Sequence, residues 1–174
     1  MKPADPSLVA TAIDQTKECD MTVATLTEIA NRRAADWLAR HSINVLRVSL
    51  GLVFLGFGVL KFFPGLSPAE SLVVRTLDTL SFGLLPGSAA LILTAISECF
   101  IGITLITGRL LKTGLVVLAV SMIGILSPLV LFFTDLFPSG PTLEAQYVFK
   151  DIVLVAAGMV VAARALGARL VNER

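Results

Sequence analysis

Apolar residues in this chain run in four long, nearly unbroken stretches, separated by short polar joints. The stretches cover residues 42–62, 87–107, 111–133 and 148–166. Each approaches the roughly 20 residues a helix needs to cross a bilayer. The joints carry residues that end helices: Pro64-Gly65, then Thr107-Gly108-Arg109, then Pro138-Ser139-Gly140-Pro141. The pattern predicts an all-α membrane protein, a bundle of four transmembrane helices over residues 42–169 with a tail at 170–174. Residues 1–21 read as a disordered leader, and Met21 after it offers an alternative start.

Two shorter helical patterns flank the first span. Over residues 22–41, Val23, Leu26, Ala30, Ala34, Trp37 and Leu38 recur at three- and four-residue steps, while Glu28, Arg32, Asp36 and Arg40 mark the wetter side. Trp37 and the arginines suit an amphipathic helix lying at headgroup level; a helix docked on a protein partner is the competing reading. The second pattern begins at Ser67-Pro68-Ala69-Glu70, a capping box with proline at the first helical position. Leu72, Val73, Leu77 and Leu80 follow on one side, and the pattern ends near Gly83. The first outer loop is therefore expected to be a short helix over the mouth of the bundle.

Composition agrees with lipid as the solvent. The chain has 174 residues, is 55% hydrophobic and only 16% charged, and has a mean hydropathy of +0.85. A net charge of +1 supplies no basic face, so nucleic acid is not an expected partner. Lys2, Lys17, Arg32, Arg33 and Arg40 precede the first span, Arg109 and Lys112 sit between the second and third, and Arg164, Arg169 and Arg174 follow the fourth. The other two loops hold only Arg75. By the positive-inside rule both termini face the cytoplasm, as an even number of crossings requires. No secretory signal is expected, because the first forty residues mix acids and bases around no apolar core. Cys19 and Cys99 form neither a C-x-x-C nor a metal-spaced pair, and a bridge between them is not expected.

Against that background a few charges stand out. Arg47, Lys61, Glu98, Lys150 and Asp151 lie inside or near the ends of the spans. A charge at a helix centre in hydrocarbon costs about 2.5–3.5 kcal/mol, so such residues usually turn into the bundle and pair. Arg47, Gly51, Phe54, Gly58 and Lys61 share one face of the first span, and Thr94, Glu98 and Gly102 one face of the second. Counting 1.5 Å per residue, Arg47 and Glu98 differ in depth by roughly 5–8 Å, which predicts an Arg47–Glu98 ion pair. Two roles remain open for it, fixing helix register or handling a proton or ligand.

At the outer end, Tyr147, Lys150, Asp151 and Leu154 fall on one side of the fourth span, close to Gln146 and level with Lys61. They form either a polar pocket beneath the short outer helix or a solvated rim. The third span adds a stripe of Gly114, Ser121, Gly124 and Pro128, with a kink and a freed carbonyl expected at the proline. His41, the single histidine, sits at the inner boundary, where an interfacial role outweighs haem ligation. No serine, cysteine or zinc arrangement for catalysis is visible, so no catalytic residue and no metal ligand is assigned.

These residues carry a resemblance. Arg47-Val48-Ser49-Leu50-Gly51-Leu52-Val53-Phe54 with Gly58-Val59-Leu60-Lys61, then Glu98 with Gly102, Leu105 and Gly108-Arg109, then Gln146-Tyr147-Val148-Phe149-Lys150-Asp151, are similar in order and spacing to the DoxX family of small bacterial membrane proteins. The resemblance implies a four-helix protein of the bacterial inner membrane, and for some members a link to thiosulfate:quinone oxidoreductase or to membrane redox complexes. It also leads one to expect asparagine at Asp151, whose charge opposes a simple anion site at Lys150. The chain lacks the paired cysteines of four-helix thiol–quinone enzymes, so it is not expected to exchange thiols itself.

Three functions follow as expectations. The first is a membrane subunit of a quinone- or sulfur-linked redox system, holding a small ligand such as quinone with Lys61, Lys150, Tyr147 and Glu98. No redox centre is expected within the chain, so electrons call for a partner redox protein or a bound quinone. The second is a non-catalytic scaffold or assembly factor built on the leader helix and the small-residue faces, which also leave room for a homo-oligomer. The third is a small-solute or proton carrier using Glu98, disfavoured by the lack of an inverted repeat.

Overall fold

The computed structural model describes residues 6–63, 65–67 and 70–168, with side chains from Thr25 onward. Among them there is no strand. Seven helices follow one another: α1 (Pro6–Leu60), α2 (Glu70–Leu80), α3 (Gly87–Thr107), α4 (Leu111–Leu126), α5 (Pro128–Leu131), α6 (Phe133–Leu136) and α7 (Leu143–Ala165). The chain divides into two compact units, Met1–Ser42 and Ile43–Arg174.

In the first unit, α1 is already helical from Pro6, where a disordered leader over residues 1–21 was expected; residues 1–5 lie outside the described residues. Nor does the helix break near 41, where the interfacial helix was expected to give way to the first span. The physical reason is local: no glycine or proline occurs between Pro6 and Gly51 to interrupt the ladder. All described side chains of this unit are exposed, Leu26, Trp37 and Leu38 included. Its polar side chains bond along the helix, Arg32 to Glu28 at 2.6 Å and Arg40 Nε to the Asp36 carbonyl at 3.0 Å. His41 Nδ1 lies 2.9 Å from the Trp37 carbonyl and its ring stacks on the Trp37 indole. The side chain of Cys19 and the tail at 170–174 lie outside the described residues.

Three helical stretches are long and apolar enough to cross a membrane: Thr25–Leu60, Gly87–Thr107 and Leu111–Leu131. The chain is thus a helical membrane protein in contact with lipid. The first stretch has 36 residues. At 1.5 Å per residue it runs roughly 54 Å, well beyond a hydrocarbon core of roughly 30 Å. Helix α7, with 23 residues, is long enough but carries Glu144, Lys150, Asp151 and Arg164 and is not among the three.

The second unit is held by one buried cluster drawn from every long helix: Leu50 and Phe54 of α1, Ile101 and Leu105 of α3, Leu118 and Met122 of α4, and Val161 of α7. Helix α4 packs between α3 and α7, and α2 packs on α3. A second cluster joins Leu72 of α2, Leu136 of α6, and Ala145 and Val148 of α7. Helices α1 and α3 approach most closely at two glycines. A β-carbon on Gly102 would sit 2.7 Å from the Leu55 amide nitrogen and 2.8 Å from the Gly51 carbonyl oxygen. Only glycine allows backbone to meet backbone in this way. The turn into α4 is closed by Gly108 at φ 72°, whose N–H donates to the Thr104 carbonyl.

The third span is shorter as a continuous helix than the 111–133 expected. Helix α4 ends at Leu126, and Pro128 opens α5. A proline at 128 removes the N–H that would have bonded to the Gly124 carbonyl four residues back. That carbonyl instead accepts from the Ser127 hydroxyl at 2.7 Å. The bond lost at Pro128 separates α4 from α5 while Ser127 between them keeps helical dihedrals, φ −57° and ψ −32°, and the freed acceptor is satisfied locally. Helix α2 starts at Glu70; Pro68 and Ala69 of its expected cap lie outside the described residues. The Glu70 carboxylate accepts from the Gly65 N–H at 2.8 Å rather than from Ser67.

Candidate functional site

The face of α1 read from the sequence is the packed one. Gly51, Phe54, Gly58 and Lys61 are buried and Arg47 partly so, while Leu52 and Val59 are exposed. Lys61 lies at the end of this face. Its Nζ donates to both carboxylate oxygens of Glu98, at 2.7 and 2.5 Å. The side chains keep only 5% and 8% of their exposure, so this is a buried, doubly bonded ion pair.

The expected Arg47–Glu98 pair is therefore corrected to Lys61–Glu98. The reason lies in helix direction. The antiparallel register of α1 and α3 sets Gly51 against Gly102 and Gly58 against Cys99 and Glu98. Side chains on a helix lean toward its N-terminus. Lys61, one turn beyond Glu98's level, leans back onto the carboxylate. Arg47, 14 residues earlier on the same face, leans in the same direction, which carries it away from Glu98 to the α3–α4 turn, where a β-carbon on Gly108 would strike its Nη1. There the guanidinium faces the negative end of α3. Its Nε is buried with no hydrogen-bond partner among the described residues.

Beside the ion pair lies an open-sided cavity of about 590 Å³ lined by residues of α1, α2, α3, α4, α5 and α7. Most of its wall is apolar: Val53, Phe54 and Phe57 of α1, Leu72, Val73, Leu77 and Leu80 of α2, Leu93 of α3, and Val116, Val120 and Ile125 of α4. Helix α2 thus covers the cavity as the outer-loop helix was expected to. One side is charged, with Lys61, Glu98, Lys150 and Asp151 together. Lys150 Nζ lies between two rings, 4.6 Å from the centroid of Phe57 and 4.1 Å from that of Tyr147. Asp151 is half-buried and acts electrostatically on Lys150, Lys61 and Glu98.

Of the residues singled out in the sequence, Lys61, Glu98, Tyr147, Lys150 and Asp151 all line this cavity. Gln146 does not; it is exposed, because it falls about 160° around α7 from Val148 and about 140° from Asp151, both of which line the cavity. The stripe on α4 divides. Ser121, Gly124 and Pro128 line the cavity, whereas Gly114 packs against the Thr104 side chain. Phe57 carries no sequence signal that sets it apart from lipid-facing phenylalanines, yet it forms half of the aromatic seat for Lys150. Thr94 and Ser97 also reach the cavity, though their hydroxyls donate to carbonyls of their own helix. Cys99 is a free thiol.

A buried carboxylate–ammonium pair beside an apolar chamber, in a bundle of membrane-spanning helices, defines a helical membrane protein with a charged internal site. The chain belongs to the DoxX family, whose sequence model matches residues 42–134. That match takes in Arg47, Lys61 and Glu98 and ends before Tyr147, Lys150 and Asp151. No curated protein and no solved structure matches the chain.

Proposed function

We propose that this protein is a membrane subunit of a quinone-linked redox system in the bacterial inner membrane, and that its cavity holds an amphipathic small molecule. The observation that carries this reading is the cavity itself: about 590 Å³, apolar on most sides and charged on one. That volume falls within the roughly 300–1,000 Å³ of small-molecule sites. Its chemistry fits a ligand with an apolar body and a polar head, as a quinone has. The redox assignment draws on membership of the DoxX family. Electrons pass to or from a partner redox protein by way of the ligand.

In this reading α7 is the fourth crossing. Ala145, Val148, Gly158 and Val161 are buried, and Lys150 and Asp151 line the cavity, so its central charges need not meet lipid. Four crossings put both termini in the cytoplasm, in keeping with the lysines and arginines of the joints.

The test is thermal stability of the purified full chain with a short-chain quinone. A ligand at 100 times its Kd stabilises the folded state by about 2.7 kcal/mol. The melting temperature of the wild type is expected to rise with quinone concentration, and to rise less in Lys150→Met. A wild-type melting temperature that stays constant up to saturating quinone would refute the reading.

A further inference from the structure

The charged side of the cavity fixes the kind of head group it receives, an inference that rests on the ligand-binding reading above. Four ionisable side chains other than tyrosine line the cavity, Lys61 and Lys150 against Glu98 and Asp151, and their charges sum to zero. Lys61 and Glu98 satisfy each other at 2.7 and 2.5 Å. The second couple does not. Lys150 has its ammonium against the faces of Phe57 and Tyr147, which accept no conventional hydrogen bond. Asp151 accepts no hydrogen bond from any described residue, although it is half-buried and charges surround it. One side of the cavity thus offers a donor without a protein acceptor on an exposed lysine, and beside it an acceptor without a protein donor, both open to water until a ligand displaces it. Both belong to consecutive residues at the outer end of α7.

We propose that the cavity selects an uncharged amphiphile whose head both accepts a hydrogen bond from Lys150 and donates one to Asp151, as a phenol, an alcohol or a hydroquinone does. An anion is disfavoured, because it would add negative charge beside the Glu98 and Asp151 carboxylates. An oxidised quinone, which has only acceptors, leaves the Asp151 carboxylate without a donor. Among redox forms of one ligand, the site therefore holds the reduced, hydroxyl-bearing form more tightly. An acceptor that loses its water to a bound head group without gaining a donor is costly, and a hydrogen bond to a charged group is worth about tenfold in affinity.

The experiment uses three ligands with one ring and one chain: 4-octylphenol, its methyl ether 4-octylanisole, and 4-octylbenzoate, at neutral pH. Their binding to the full-length protein is measured by calorimetry, for the wild type and for Asp151→Asn, so that partition into detergent cancels between the two proteins. The wild type is expected to bind the phenol about tenfold more tightly than the ether and to bind the benzoate most weakly. In Asp151→Asn the preference for phenol over ether is expected to fall to about twofold, and the benzoate to gain at least about fivefold, because the chamber then carries a net positive charge. Equal wild-type affinities for phenol and ether, or tightest binding of the benzoate, overturn the head-group assignment while leaving a ligand site in place. Binding of none of the three overturns the ligand-site reading, and this inference with it. Should Asp151→Asn fail to fold, the wild-type comparison is made with each ligand's partition into detergent measured in protein-free micelles and subtracted.

Discussion

Replacing Lys61 with methionine removes the ammonium from the most buried charge pair described in the protein while keeping a side chain of similar length. In the wild type Glu98 receives two short hydrogen bonds from Lys61 and is almost wholly shielded. The hydroxyls nearest along α3 do not stand in, since Thr94 and Ser97 already donate to backbone carbonyls. The carboxylate would be left without its counter-charge, and breaking a buried pair from one side costs about 3–5 kcal/mol. A second substitution separates this cause from lost packing. In Lys61→Met/Glu98→Gln the orphaned charge is gone, and most of the loss should return, because a neutral amide costs far less to bury than a carboxylate. The assay is equilibrium unfolding in mixed micelles with increasing SDS, followed by far-ultraviolet circular dichroism. Lys61→Met stability within about 0.5 kcal/mol of wild type would refute the claim that the pair is buried and essential to this packing. A double variant no more stable than the single one would show that the cost lies in packing instead of charge.

Three further outcomes are expected from the same unfolding assay. Gly102→Ala places a methyl 2.7 Å from the Leu55 nitrogen and 2.8 Å from the Gly51 oxygen, and should destabilise by about 1–3 kcal/mol as α1 and α3 part; Gly56→Ala, whose new methyl meets nothing, should be neutral or stabilising by up to about 1 kcal/mol. Ser127→Ala strips the 2.7 Å donor from the Gly124 carbonyl and should cost about 1–3 kcal/mol, and adding Pro128→Ala should recover part of it by restoring a backbone N–H there. Arg75→Ala breaks the 2.6 Å contact with Asp135 but should change stability by less than about 1 kcal/mol, because both side chains are more than half exposed.

How far the candidate site was legible differs from residue to residue. Lys61, Glu98, Lys150 and Asp151 were visible because a charge among apolar residues needs a reason to be there. Tyr147 was visible through its helical spacing from Lys150 and Asp151. Phe57 was hidden, since aromatic residues are common on both the lipid-facing and the inward side of such helices. Gln146 was misread because nearness in sequence was taken for nearness on the helix face.

The apolar runs and their polar joints were sufficient, without coordinates, to establish helical spans, the packed glycine face of α1 and the carbonyl freed by Pro128. Hydrocarbon offers no partner to a backbone N–H, glycine alone permits contact between backbones, and proline has no N–H to give; these constraints act within a few residues of chain. Which charges meet was decided only by tertiary structure. Glu98 is paired with Lys61 because two antiparallel helices lock at Gly51 and Gly102, and because side chains on each lean toward its own N-terminus. A depth count along single helices contains neither the register between helices nor that lean, so it chose Arg47.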